Sequence, residues 1–324
     1  MRSRWRRASS KASGFRRAPT VARIASNPDV AVALSADLLA RIRTIQIRTR
    51  RLTASLLGGE YRSVFRGAGI EFADAREYTD GDDVRLIDWN VTARMGTPWV
   101  KLFVEERDLT VMCMVDRSAS ARVGTPERGR FGAAAELVAL LGFAAAQSGD
   151  RAGLLTFSDA PETFLRPERG TRHALRMVRD VLAAEPSLGQ RTDIGVAADY
   201  LGRVLRRRAV IFVISDFLDE GYEESLRGLA RRHEVVALTL ADPIDTALPD
   251  MGMIAVADAE TGERLWIDSG DARVRTAYAE AAQTRADRRR RAIASCGVEE
   301  IVIPITGDVI APLAAYFRRR AQSR

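Results

Sequence analysis

From about residue 109 to the carboxyl end, short apolar runs alternate with longer segments whose apolar positions recur every three or four residues. The runs at 110–115, 151–157, 209–214, 234–240 and 300–304 read as strands. Segments 131–147, 171–184, 193–206, 223–232, 274–295 and 309–319 read as helices, and a hairpin is expected around 261–266. Runs that are apolar without alternation are buried on both faces, and strands interleaved with helices pair in parallel. The pattern therefore predicts a doubly wound, mostly parallel α/β sheet with helices on both sides.

Upstream the pattern changes. Leu34, Leu38, Ile42, Ile45, Leu52 and Leu56 recur at helical spacing with arginines between them, which predicts an amphipathic helix over 29–57 that must pack on something. Gly58 and Gly59 end it. The stretch that follows holds Gly67, Gly69 and Gly81 among the aromatics Tyr61, Phe65, Phe72, Tyr78, Trp89 and Trp99, which suggests a small β-rich module ending near Asp108. Residues 1–28 lack periodicity and are expected to form a flexible arm. The organisation is then an arm over 1–28, a helix plus small module over 29–108, and a large α/β domain over 109–324, in keeping with a length of 324 residues.

Composition adds one feature. Apolar residues make up 46% and charged residues 29%, the balance of a globular chain able to bury a core. Of the net charge of +7, much lies in the arm: Arg2, Arg4, Arg6, Arg7, Lys11, Arg16, Arg17 and Arg23, with no acidic residue among them. A basic arm can hold nucleic acid or an anionic membrane surface. A solvated leader is the reading preferred here, because no nucleic-acid motif or interleaved aromatic groove follows. Cys113 and Cys296 lie in apolar stretches, which argues against a disulfide framework. No apolar run reaches the 18 or so residues of a membrane span, and no apolar segment of a secretory signal follows the basic start, so a cytoplasmic location is expected.

Functional groups of a parallel α/β sheet gather beyond the carboxyl ends of its strands. Three loops meet that condition: Asp116-Arg117-Ser118-Ala119-Ser120 after the first strand, Thr192 before the helix at 193, and Ser215-Asp216 after the strand at 209–214. Asp116, Ser118, Ser120, Thr192 and Asp216 together supply two carboxylates and three hydroxyls. Such an all-oxygen set suits a hard divalent cation, Mg²⁺ or Mn²⁺, with a coordination position left for a partner's carboxylate. Taken singly, each residue has an ordinary reading as a helix cap or turn residue. Together, at the ends of separate strands, they are not explained by capping.

The Asp116-x-Ser118-x-Ser120 triplet, with Thr192 and Asp216 downstream, resembles the metal-ion-dependent adhesion site of von Willebrand factor A domains. The resemblance implies that Ser118, Ser120 and Thr192 ligate the metal and that Asp116 and Asp216 act largely through water. A second block is more distinctive still. It comprises Gly67 to Phe72, Arg76-Glu77-Tyr78, Gly81-Asp82-Asp83-Val84-Arg85, Ile87-Asp88-Trp89-Asn90, Ala93-Arg94, and Val100-Lys101 through Arg107. It resembles the signature of the bacterial domain-of-unknown-function 58 family, over roughly residues 41–242. That resemblance implies an A-type domain after the block and work as an adaptor or co-chaperone with a MoxR-type AAA+ ATPase. Many relatives carry amino-terminal membrane spans that have no counterpart in this sequence.

Read physically, Arg76, Arg85, Asp88 and Arg94 are expected to form buried ion pairs around Trp89. The functional alternative is a docking face for a partner made by Asp82, Asp83, Arg85, Asp88 and Arg94. Enzymatic readings are weaker. A phosphate-binding Gly-x-x-x-x-Gly-Lys-Ser/Thr loop is absent from the sequence. The only histidines, His173 and His233, fall away from the expected site edge and read as surface residues. A protein-binding, non-enzymatic role is therefore expected. The alternatives are a metal-dependent hydrolase built on Asp116 and Asp216, and a nucleic-acid binder acting through the arm.

Overall fold

The computed structural model describes residues 42–45, 69–106, 109–118, 129–183, 191–257 and 264–322. The arm at 1–28 and the greater part of the expected 29–57 helix lie outside the described residues. Residues 42–45 are helical, and Ile42 and Ile45 pack against the main core.

A six-stranded sheet organises the chain. Its strands are β3 (Thr110–Asp116), β4 (Arg151–Phe157), β5 (Pro161–Arg169), β6 (Val210–Ser215), β7 (Glu234–Ala241) and β10 (Glu299–Pro304), in the order β10-β7-β6-β3-β4-β5. All neighbours pair in parallel except β4 and β5, which form an antiparallel hairpin at one edge. This is the expected doubly wound, mostly parallel sheet. Strand β5 has no counterpart among the expected strands, and its segment carries two prolines and four charged residues. Both features are tolerated at an edge, where one side of the strand donates to no neighbour.

Alternate residues of the buried strands feed two cores. Val111, Cys113 and Val115 of β3 join one cluster with helices α2 (Gly129–Ser148), α3 (Thr171–Ala183) and α7 (Ala311–Gln322). Met112 and Met114 join the other, with α4 (Ile194–Val204), α5 (Glu223–Ala230) and the end of α6 (Ala272–Ser295). Helix α2 is long and apolar enough to cross a membrane, yet Arg130 and every residue from Gly132 to Ala145 are buried within the fold. Gly142 lets α3 come close to it, since a Cβ there would lie 3.1 Å from the Ala174 Cβ.

Among the described residues, the upstream module forms an antiparallel hairpin, β1 (Gly69–Glu77) with β2 (Trp99–Glu106), whose loop holds a short turn at Val84–Leu86 and helix α1 (Trp89–Met95). A second hairpin, β8 (Met253–Ala257) with β9 (Arg264–Asp268), sits between β7 and α6, close to its expected place.

The buried ion-pair network expected around Trp89 is not there. Trp89 is 69% exposed, and Arg85 and Arg94 are exposed as well. Arg76 pairs instead with Asp82 through two hydrogen bonds of 2.7 and 2.6 Å on the surface. Asp83 caps the turn at Arg85 N, and Asp88 caps α1 by accepting from Asn90 N and Val91 N, with Lys101 at 3.8 Å. The described part of the module, a two-stranded ribbon with one short helix, has too little interior to bury such a network. His173 and His233 also depart from expectation, being buried at 7% and 4% exposure. They begin α3 and precede β7 at the amino-terminal edge of the sheet, opposite the candidate site.

Candidate metal centre

Strands β3 and β6 are direct neighbours, with Val115 opposite Ile214, so Asp116 and the Ser215-Asp216 pair leave the sheet side by side. On the other flank Asp116 is opposite Phe157, the last residue of β4. The segment carrying Thr192 is held to this edge by Asp193 N, which donates to Ser158 O at 2.8 Å, and by Ile194 N, which donates to Asp219 Oδ2 at 2.9 Å. Asp193 caps α4 through Val196 N, so the half-buried Thr192 is not the helix cap. Ser120 lies outside the described residues.

The carboxylates of this edge are buried and lie close enough to repel each other. Asp116, Ser118 and Asp216 are 5%, 0% and 4% exposed. Asp116 Oδ1 accepts from Ser118 N at 2.8 Å and Asp116 Oδ2 from the Ser215 hydroxyl at 2.6 Å. Burial first, and the charge of Asp216 second, push the Asp116 carboxyl up to about 7, against the hydrogen bonds from Ser215 and Ser118. Asp216 Oδ1 accepts from Leu218 N at 3.2 Å, while its buried Oδ2 has no hydrogen-bond partner. Phe217, the next residue, adopts a left-handed conformation at φ 53°, which is strained for an aromatic residue. Its ring is kept buried by edge contact with Tyr222, 5.9 Å between centroids.

Two arginines that sequence reasoning did not place bracket this edge. Arg117, the variable residue of the Asp-x-Ser triplet, donates to Glu162 Oε2 at 2.7 Å and so ties the β3 loop to β5. Ser158 donates to the other oxygen of Glu162 at 2.8 Å. Arg130, in the first turn of α2, reaches Asp216 Oδ2 at 3.8 Å and Asp245 beyond β7 at 2.6 Å. A charged residue at the head of a helix built mostly of Ala, Leu, Gly and Phe, with Glu136 its one other charged residue, was the signal available, because burying it demands a partner.

Two buried carboxylates that repel each other, one with an oxygen that accepts no hydrogen bond, fit a divalent cation. Among the described residues no three His, Cys, Asp or Glu side chains cluster as metal ligands. A cation here would therefore draw on the Ser118 and Thr192 hydroxyls and on water beside Asp116 and Asp216.

A doubly wound sheet of this order, with hydroxyls and two aspartates at the carboxyl edge of its central strands, defines a von Willebrand factor A-like domain. The chain belongs to the family described as "Protein of unknown function DUF58", whose profile matches residues 74–288. Uncharacterized proteins of Mycobacterium tuberculosis and Mycobacterium bovis are each 33% identical to it over 285 residues, 87% of this chain and 90% of theirs. Among solved structures it is similar to an aerotolerance-related membrane protein of Bacteroides fragilis, at 15% identity and a TM-score of 0.41 over 67% of this chain and all of that one. It is also similar to the SpRpn10 VWA domain, at 13% identity and a TM-score of 0.35 over 64% of this chain and 94% of that one.

Proposed function

We propose that this protein is a metal-dependent protein-binding adaptor or co-chaperone, and not an enzyme. In this reading Asp116, Ser118, Ser120, Thr192 and Asp216 hold one Mg²⁺ or Mn²⁺, and an acidic side chain of a partner completes the coordination shell. The observation that supports it is the buried Asp216 Oδ2, which has no hydrogen-bond partner and lies beside a second carboxylate raised to about 7. Burying two neighbouring carboxylates against a guanidinium contact of 3.8 Å is unfavourable, and a divalent cation would relieve it. A MoxR-type AAA+ ATPase as working partner rests on the family resemblance. The exposed Val84, Leu86, Trp89 and Met95, beside Arg85 and Arg94, make the module a second docking face. Asp82, Asp83 and Asp88 shape that face through the local bonds described above.

The reading is tested by titrating Mg²⁺ and Mn²⁺ calorimetrically into the full chain and into Asp116→Ala and Ser118→Ala, with and without a MoxR-type AAA+ ATPase. Metal binding in the wild type, lost in both variants and tightened by the partner, is expected, because metal and partner affinities are linked. Partner capture indifferent to chelator and to Asp116→Ala would overturn it.

A further inference from the structure

Arg130 joins the candidate metal centre to a different part of the edge. Its side chain is 3% exposed, and among its contacts are two carboxylates held with unequal grip. Nη2 donates to Asp245 Oδ1 and Oδ2 at 2.6 and 2.7 Å. Nε lies 3.8 Å from Asp216 Oδ2, a charge contact longer than a hydrogen bond. Asp245 in turn holds the turn after β7: Asp242 N donates to Asp245 Oδ2 at 2.9 Å, and Ile244 N donates to Asp242 Oδ1 at 3.1 Å. Tyr278 of α6 donates to Ile244 O at 2.8 Å. A line of contacts therefore runs from Asp216 through Arg130 to the turn at Pro243–Asp245 and on to α6.

A structural ion pair needs only Asp245. The second contact sets a cation against the one buried carboxylate oxygen at the site that no hydrogen bond satisfies. That contact can be given up without breaking a hydrogen bond, whereas Nη2 donates to both oxygens of Asp245. We propose that Arg130 is a built-in counter-ion that competes with the metal for Asp216 and, when displaced, passes the occupancy of the site to the Asp242–Asp245 turn. The inference rests on the metal-binding reading above and adds a positioning residue to it. With the site empty, the guanidinium offsets the charge of Asp216. With a cation bound, repulsion between the two positive charges drives Arg130 wholly onto Asp245 and Asp242, and the turn stiffens. Metal affinity is thereby held down until a partner's carboxylate adds to the shell.

The test uses the full chain as wild type, Arg130→Gln, Asp245→Asn and the double variant, with Mg²⁺ or Mn²⁺ alone as the probe. Two quantities are read: the metal dissociation constant, and hydrogen exchange of the amides at 242–246 with and without metal. Removing a unit charge at this range should tighten metal binding roughly tenfold or more in Arg130→Gln. Metal should slow exchange at 242–246 in the wild type and leave it unchanged in Arg130→Gln. Asp245→Asn leaves Asp216 a larger share of the guanidinium, so it should weaken metal binding when Arg130 is present and have little effect in the double variant. A merely structural arginine would not raise affinity when removed. Equal affinity and equal exchange responses in wild type and Arg130→Gln would overturn the proposal while leaving the metal site standing. Absence of metal binding in every variant would overturn both. Should Arg130→Gln fail to fold, unchanged affinity in Asp245→Asn is sufficient to overturn the role of Arg130.

Discussion

The Ser215 hydroxyl donates to Asp116 Oδ2 at 2.6 Å, joining residues 99 positions apart at the ends of two adjacent parallel strands. This bond fixes the Asp116 carboxylate where it faces Asp216, and both residues are buried. Ser215→Ala should destabilise the metal-free chain by about 1–3 kcal/mol, the range for a hydrogen bond to a charged group, and weaken Mg²⁺ binding. Denaturant titration at pH 8 and calorimetry check the two parts separately.

Asp116 also sets a pH dependence. Its folded pKa of about 7 stands above the unfolded value of 3.8. Between roughly pH 4 and pH 7 the folded chain therefore keeps a proton that the unfolded chain has lost, and stability contributed by this group falls as pH rises through that window. Asp116→Asn should remove the slope and stabilise the metal-free protein above pH 7 by roughly 2–4 kcal/mol. Saturating Mg²⁺ should flatten the same slope in the wild type, measured as the denaturant midpoint against pH.

His233 gives the opposite slope from the opposite edge of the sheet. Burial first, then Arg232 and Arg208, hold its imidazole below the ordinary value of 6.5. As pH falls below 6.5 the unfolded chain takes up a proton before the folded chain does, so stability is lost from that point down to the folded pKa. His233→Gln should abolish this acid-side loss and leave the Asp116 slope in place. Comparing the two single variants separates contributions that partly cancel in the wild type.

Arg117 should behave as a buried ion-pair member. Its side chain is 6% exposed and that of Glu162 is 22% exposed. Arg117→Ala leaves Glu162 with only the Ser158 hydroxyl, and a loss of roughly 2–4 kcal/mol is expected, measured by chemical denaturation. Metal affinity should fall as well, because the Asp116–Ser118 loop loses its tie to β5.

On the upstream module the expected changes are small in stability and large in binding. Trp89→Ala and Arg94→Ala alter exposed side chains and should change stability by less than about 0.5 kcal/mol. Asp88→Ala removes a helix cap and should cost about 1 kcal/mol. Capture of a partner on wild-type and variant chains tests the docking face, and full capture by Trp89→Ala would remove that residue from it.

Much of the fold was legible in the chain. Five parallel strands and the helices between them announce themselves because a strand covered on both faces must be apolar throughout, and a helix covering it must be apolar every third or fourth residue. Strand β5 was not legible, since an edge strand with prolines and charges carries neither signature. The Asp-x-Ser-x-Ser triplet and Asp216 were recognisable because chemistry at a strand end needs particular side chains at particular offsets.

What only the tertiary structure decided is which groups share the interior. Ser215 reads as a strand end, Arg130 as a helix start and Phe217 as an ordinary aromatic residue. Parallel pairing places the first on Asp116, burial sets the second between Asp216 and Asp245, and the turn out of β6 drives the third into a left-handed backbone. The module erred the other way: its charges and aromatics read as a buried network, but a hairpin with one short helix encloses too little volume, and Trp89 stays in solvent. Local sequence determines periodicity and local chemistry. Charge pairing and burial depend on distances between segments far apart in the chain, which only the packed fold sets.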